Sequence, residues 1–206
     1  MNIKLFFEAI LKFSLGVILI GLLIFIPANT IKYWNGWLLM GILFIPMFIA
    51  GIVMMVKSPN LLKSRLNAKE KESAQKSVVA LSGLMFLAGF IIAGLNYRFN
   101  WVQLPNFVII IAVIIFLLSY ITYVEILREN IFLSRTIEIQ KDQKVIDTGL
   151  YSIVRHPMYT TTIFLFLSIP LILGSPVSFI IFLAYPFIID KRIKNEEQVL
   201  EKELKG

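Results

Sequence analysis

Four stretches of the chain are apolar for long enough to cross a lipid bilayer. They run from about Leu5 to Ala28, from Trp34 to Val56, from Val78 to Leu95 and from Pro105 to Val124. About twenty apolar residues span the hydrocarbon core as a helix. Of the 206 residues 58% are hydrophobic and 16% charged, whereas soluble domains are about 45–50% apolar and a quarter charged. The sequence therefore predicts an integral, multi-pass membrane protein.

Two shorter apolar runs follow, Tyr159 to Leu173 and Val177 to Ile189, and only three residues separate them. At ~1.5 Å per residue each run reaches about 20 Å, so we expect a tight helical hairpin that crosses thinly or is partly shielded by protein. The predicted fold class is all-α, a polytopic membrane helical bundle of four spans plus a C-terminal hairpin, with a small cytosolic segment. We divide the chain into a four-span membrane region, residues 1–124, and a second region, residues 125–206.

The charged residues separate the two sides of the membrane. All of the 20 Lys and Arg residues except Lys32 and Arg98 fall on one side of the predicted spans, together with all 13 Asp and Glu residues. Because cytoplasmic loops carry an excess of Lys and Arg, we expect this side and both termini to be cytoplasmic. The formal net charge of +7 is thus explained by topology, and we expect no nucleic-acid partner.

The absent residue types exclude several kinds of site. The chain has no cysteine, which excludes a disulfide framework, a thiolate metal site and a cysteine nucleophile. It has one histidine, His156, so a His-rich metal site is excluded and we expect no metal. Transporters more often carry ionisable residues at mid-membrane, and these spans have none there. We therefore expect the chemistry at the charged, cytoplasmic side.

The charged segments have recognisable local patterns. Ser58-Pro59 predicts the start of a short basic helix at the headgroups, because proline suits the first helical position. The fourth span is expected to continue as a helix to Arg135. Residues 136–140 alternate polar and apolar side chains, residues 141–143 are typical of a turn, and residues 144–146 return, which favours a small hairpin or an extended loop. Gly149 is expected to supply the permissive backbone of a turn back to the bilayer.

Two polar groups flank the predicted hairpin. Taken alone, His156 is more typical of a helix-capping histidine than of a catalytic one, and Glu196-Glu197 of a solvated helix face. Pro157 fits the start of the next helix, whose free N–H groups could bind an anion. His156 and Glu196 lie 40 positions apart but flank an antiparallel hairpin, so we expect them to emerge close together. A helix turns about 100° per residue, so we expect only one of the two adjacent carboxylates to face the site.

The same residues carry a family resemblance. The run DTGLYSIVRHPMY, with QKVI before it and RIKNEEQVL after the hairpin, resembles the C-terminal half of the isoprenylcysteine carboxyl methyltransferase family and the related phospholipid N-methyltransferases. The resemblance covers about Asn130 to Leu200. It implies an integral membrane enzyme that uses S-adenosylmethionine. The eleven glycines contain no G-x-G, so the Rossmann methyltransferase loop is absent and a different kind of cofactor site is expected.

The resemblance also implies roles for individual residues. One set of residues would line the cofactor largely through the backbone: Gln143, Lys144, Val145 and Ile146. A second set near the hairpin would complete the pocket: Tyr151, His156, Pro157, Met158, Tyr159 and Glu196. Arg192 would face the substrate, and Glu197, or Glu196, would assist if the acceptor is an amine. Residues 125–206 would then form the cofactor-binding catalytic region.

Three alternatives stay open on the sequence. The lipidic acceptor could be an isoprenylcysteine-type carboxylate or a phospholipid amine, and the oligomeric state is not indicated. A membrane sterol-type reductase is a second class of enzyme, although the 2′-phosphate of NADPH would call for more arginines than Arg155 and Arg192. A non-catalytic membrane adaptor is a third reading, tied to a chain that ends at Gly206.

Overall fold

The computed structural model describes residues 3–67, 73–130 and 146–203, and within them every regular element is a helix. The all-α prediction is confirmed. These described residues form eight α-helices, α1 (Ile3–Ala28), α2 (Trp34–Lys57), α3 (Pro59–Leu66), α4 (Ser73–Phe99), α5 (Asn106–Glu129), α6 (Pro157–Ile172), α7 (Pro176–Phe182) and α8 (Tyr185–Glu203), and a 3₁₀ turn at Gly149–Ser152.

Four of these helices, α1, α2, α4 and α5, are long and apolar enough to cross a membrane. They correspond to the four predicted spans, and α4 extends beyond the predicted run at both ends. Large apolar side chains on their outer faces are exposed, as Ile45 and Ile121 illustrate at 63% and 67%. Such a surface is favourable against lipid tails and unfavourable against water. The protein is therefore an integral membrane protein.

The C-terminal hairpin lies inside the bundle. Its turn reaches the start of α2 and the loop that joins α4 to α5: Asn35 Nδ2 donates to the carbonyl of Ile172 at 2.7 Å, and the Leu104 N–H donates to the carbonyl of Gly174 at 3.3 Å. Gly174 has a φ of +70°, which suits a residue without a Cβ. Half of the residues of α6 are buried. The hairpin is thus partly shielded by protein, as expected, while Ile180 of α7 stays 69% exposed.

The second arm of the hairpin differs from the sequence expectation. The run from Val177 to Ile189 was expected to be continuous, but α7 ends at Phe182 and α8 begins at Tyr185. Pro186 explains the break, since proline has no N–H for the helical hydrogen bond and clashes with the preceding turn. The charged tail is therefore the continuation of a helix that starts within the apolar region, and its first turns are held against the bundle.

Helix packing fixes where α8 lies. Among the described residues α4 packs against α1, α7 and α8, while α6 packs against α5, α7 and α8. At the α4–α7 contact a Cβ added to Gly89 would lie 2.2 Å from the Phe182 ring, so only glycine allows this close approach. Because α8 contacts both α4 and α6, its charged turns are brought to the place where α6 begins.

Candidate active site

One end of the bundle, which we call the basic end, is formed by α3, the starts of α4 and α6, and the end of α5. Lys12 Nζ of α1 donates to the carbonyl of Leu66 at 2.8 Å, and Lys191 Nζ of α8 donates to Ser77 Oγ of α4 at 3.3 Å. These contacts tie α1 to α3 and α8 to α4 at this end. Residues 192–197 of α8 lie here, beside the first turn of α6.

His156 and Glu197 form the outer pair of the site. Nε2 of His156 lies 2.9 Å from Oε1 of Glu197, and the two side chains are 20% and 39% exposed. His156 occupies the N-cap position of α6 with Pro157 at the first helical position, as predicted, but its side chain makes no capping hydrogen bond. The interpretation of His156 as a capping side chain is therefore wrong, because its imidazole is turned towards α8 instead.

Tyr159 joins the two inner charged residues. Its hydroxyl donates to Oε2 of Glu196, and Nε of Arg192 donates to the same phenolic oxygen at 3.1 Å. Tyr159 is only 4% exposed. A phenol that donates to a carboxylate and accepts from a guanidinium fixes both groups at once. Arg192 and Glu196, one helical turn apart, are thus linked through a buried residue of α6.

Both carboxylates of the Glu196-Glu197 pair contact the start of the hairpin. The expectation that only one of them would face the site is wrong. The reason lies on α6: Tyr159 belongs to its first turn, where it meets Glu196, whereas His156 precedes the helix and meets Glu197 from another direction. The two partners thereby compensate for the ~100° rotation between adjacent residues of α8.

Tyr151 lies in the 3₁₀ turn that precedes α6. Its hydroxyl accepts a hydrogen bond from Asn130 Nδ2 at 3.0 Å. Burial raises the pKa of the Tyr151 phenol, the hydrogen bond from Asn130 opposes this, and the negative charge of Glu196 raises the pKa further. Tyr151 therefore stays a neutral phenol at physiological pH and lies within electrostatic range of Glu196.

Glu129, at the end of α5, holds the turn in place. It accepts hydrogen bonds from Thr148 Oγ1 at 2.9 Å and from the Leu150 N–H at 3.3 Å. Gly149 between them has a φ of +51°, which confirms the turn that the sequence predicts. A Cβ added there would lie 2.2 Å from Oε1 of Glu129. The turn and the carboxylate thus fit together only when residue 149 is glycine.

The structure places some of the predicted cofactor residues and not others. Ile146 lies directly before the turn and is partly buried, and Met158 is partly buried in the first turn of α6. Gln143, Lys144 and Val145 lie outside the described residues, as does the predicted hairpin or loop up to residue 145. Of the described members of the predicted set, Tyr159 contacts Glu196 directly, and Tyr151 lies within electrostatic range of Glu196.

Two polar residues of the site were missed by the sequence analysis. Gln75, in the first turn of α4, is fully buried, and its Nε2 donates to the carbonyl of Arg192 at 3.4 Å. Oε1 of Gln75 and Nδ2 of Asn195 are buried and have no hydrogen-bond partner within the part of the chain that the structure describes. In the sequence, both residues look like ordinary polar positions at the edge of a span or on a solvated helix.

A further contact was also missed. The guanidinium of Arg65, on α3, donates to the hydroxyl of Tyr123 on α5 and lies 5.6 Å from the centre of the Tyr123 ring. From its sequence, α3 is expected only as a helix at the headgroups. The contact shows that α3 also closes the basic end towards α5.

No cluster of three or more His, Cys, Asp or Glu residues that could hold a metal ion occurs among residues 3–67, 73–130 and 146–203. Two largely apolar grooves, with empty volumes of about 570 and 1080 Å³, lie along α1 and α2. They are separate from the polar residues around Tyr159. The chemistry of the basic end is therefore that of a guanidinium, phenols, an imidazole and two carboxylates.

The fold and this cluster define a class: an integral membrane helical bundle whose polar site forms where a buried hairpin begins and a charged helix leaves it. Residues 110–202 match the isoprenylcysteine carboxyl methyltransferase (ICMT) family. This match supports membership of that family of membrane methyltransferases. No curated protein and no solved structure matches it. The matched region contains His156, Tyr159, Arg192 and both glutamates, whereas Gln75 lies outside it.

Proposed function

We propose that the protein transfers a methyl group from S-adenosylmethionine to a lipidic acceptor at the cytoplasmic face of the membrane. The observation that carries this proposal is the linked set at the basic end: Tyr159 joins Arg192 to Glu196, and His156 lies against Glu197. The match to the ICMT family supports methyl transfer as the reaction. The excess of Lys and Arg on the loops at this end supports its cytoplasmic orientation.

The residues present fit such a cofactor. Its amino-acid end and ribose need hydrogen-bond donors and acceptors, and its adenine needs an apolar or aromatic wall. Glu196 provides an acceptor, Tyr151 and Tyr159 provide phenols, and Pro157 with Met158 provides apolar surface at the start of α6. Residues 143–146 would add backbone groups. When bound, the cofactor supplies a methyl group activated by its sulfonium charge.

The work required of the chain is mainly positioning. Methyl transfer is an in-line displacement, so the site must align the reacting atoms and exclude water. Tyr159 is buried and holds Arg192 and Glu196 in fixed positions. A guanidinium binds a carboxylate or phosphate through parallel hydrogen bonds, so Arg192 would orient an anionic acceptor group at headgroup level.

The need for a base depends on the acceptor. A carboxylate is already ionised at pH 7 and needs none. An amine must lose a proton, and Glu197 is the residue we assign to accept it, because its half-exposed carboxylate can pass the proton on to water. His156, 2.9 Å away, would hold Glu197 in position.

A methyl-transfer assay tests the proposal. Purified protein in lipid vesicles is given S-adenosylmethionine with a radiolabelled methyl group and one of two acceptors, a prenylated cysteine with a free carboxylate or phosphatidylethanolamine. We expect label in one of these lipids. Glu197→Gln should slow transfer at least tenfold for the amine and less than threefold for the carboxylate. Folded protein that labels neither lipid and binds no S-adenosylhomocysteine would overturn the proposal.

A further inference from the structure

The seam between α4 and α8 contains two polar side chains, Gln75 and Asn195, that the methyl-transfer proposal does not use. Gln75 is fully buried there and donates through Nε2 to the carbonyl of Arg192. In an α-helix the carbonyl of residue i points towards the turn that carries residues i+3 and i+4. The Gln75 amide therefore lies beside Asn195 and Glu196, on the side of α8 that faces α4.

Two buried polar atoms in this seam lack partners. Oε1 of Gln75 is an acceptor and Nδ2 of Asn195 is a donor, and neither has a hydrogen-bond partner in the described portion of the chain. Buried polar atoms without partners are unfavourable and uncommon in native proteins. A group bound here would satisfy both atoms only if it carried a donor and an acceptor close together.

The charges around the seam indicate which group that is. Glu196 supplies a carboxylate on the inner side, and Lys191 supplies an ammonium group at the outer edge, where it contacts Ser77. A phosphodiester has only acceptors to offer Gln75, and an acyl chain would leave both amides unsatisfied. An ammonium group next to a carboxylate fits the two amides and the two charges together.

We propose that Gln75 and Asn195 bind the α-amino-acid end of the methyl donor. Gln75 Oε1 accepts from the ammonium group, and Asn195 Nδ2 donates to the carboxylate. This inference rests on the proposed use of S-adenosylmethionine. It extends the cofactor site onto α4, beyond the region that matches the family, and it makes the packing of α4 against α8 part of cofactor binding.

Calorimetry with two ligands tests the inference. S-adenosylhomocysteine carries the amino-acid end, whereas 5′-methylthioadenosine keeps the adenine, ribose and sulfur but lacks it. We expect Gln75→Met and Asn195→Leu, which roughly keep side-chain size, each to weaken binding of S-adenosylhomocysteine at least fivefold. Binding of 5′-methylthioadenosine should change less than twofold. Gln198→Met, on the exposed face of α8, is the matched control and should change neither.

Thermal unfolding without ligand supplies the second readout. If Asn195 awaits a ligand, Asn195→Leu should leave the midpoint unchanged or raise it, since Nδ2 has no partner to lose in the described part of the chain. Gln75→Met also removes the hydrogen bond from Nε2 to the carbonyl of Arg192, so Asn195→Leu is the variant used for this readout. A lowered midpoint with parallel losses of both ligands would assign the amides to a structural role and overturn the inference. Unchanged binding of S-adenosylhomocysteine would overturn it as well. Wild-type protein that is folded yet binds no S-adenosylhomocysteine would instead refute the proposed function itself.

Discussion

His156 Nε2 and Glu197 Oε1 lie 2.9 Å apart although 41 positions separate the two residues. The first precedes the buried hairpin and the second follows it, so their contact joins the two ends of the hairpin where it leaves the bundle. Any change in the packing of α6, α7 or α8 would separate them. The pair therefore reports whether the basic end is assembled.

Removal of the His156 or the Glu196 side chain at the basic end should weaken cofactor binding. We expect His156→Ala and Glu196→Ala each to reduce the binding free energy of S-adenosylhomocysteine by about 1–3 kcal/mol, because each strands a partly buried polar partner. Calorimetry on purified protein gives the value, with Gln198→Ala as the exposed control on α8. Binding in both variants equal to that of the control would rule out their part in the pocket.

Tyr159→Phe tests whether the hydroxyl of Tyr159, and not its buried ring, positions Arg192 and Glu196. Phenylalanine keeps the ring in its buried place but removes the hydroxyl shared by Arg192 and Glu196. A hydrogen bond to a charged group contributes about 1.5–3 kcal/mol, so we expect methyl transfer to fall at least tenfold while circular dichroism shows an unchanged helix content. Full activity of a folded Tyr159→Phe protein would remove the phenol from the positioning role.

Arg192→Lys should affect the acceptor more than the cofactor. Lysine keeps the charge but loses the planar guanidinium that grips a carboxylate or phosphate. We expect affinity for S-adenosylhomocysteine to stay within about twofold, while methyl transfer falls at least tenfold, a loss of ~1.4 kcal/mol in transition-state stabilisation. Normal turnover, or parallel losses of cofactor and activity, would contradict the role of Arg192 as substrate anchor.

Gly149→Ala should destabilise the turn before α6. The added Cβ would meet Oε1 of Glu129 at 2.2 Å, in a backbone conformation with a φ of +51°. We expect a loss of about 1–3 kcal/mol in the free energy of unfolding, measured by thermal unfolding in detergent. Gly51→Ala is the matched control, since a Cβ there meets nothing within 4 Å and alanine favours the helix. Equal stability of the two variants would argue against the fit between Gly149 and Glu129.

The orientation of the bundle can be tested with single cysteines, because the chain has none of its own. We expect Gln198→Cys, at the basic end, to stay unlabelled when intact cells meet a membrane-impermeant thiol reagent. Thr30→Cys, in the loop after α1 at the opposite end, should be labelled. The reverse pattern would place the site outside the cytoplasm.

Hydropathy predicted the spans well because the free energy of transfer into lipid is set by each side chain separately. The predicted span Trp34 to Val56 differs from α2 by a single residue at its end. The break between α7 and α8 was missed, although Pro186 carried the signal. The apolar run from Val177 to Ile189 suggests one continuous helix, but Pro186 interrupts its hydrogen bonding.

The site could be predicted only in part for a different physical reason. A hairpin brings its two ends together, so the nearness of His156 and the glutamates followed from topology. Which carboxylate meets which partner depends on the rotation of α8 against α6, and local sequence does not determine that rotation. Gln75 shows the same limit, since a polar residue at the edge of a span looks alike whether water or α8 covers it.

Ligand binding tests the central claim most directly. Purified, folded protein in detergent is titrated by calorimetry with S-adenosylhomocysteine and, separately, with NADPH. Use of S-adenosylmethionine by this membrane protein predicts saturable binding of S-adenosylhomocysteine that Glu196→Ala weakens, and no binding of NADPH. Saturable binding of NADPH without binding of S-adenosylhomocysteine would contradict the account and favour reductase chemistry, and binding of neither would contradict it as well.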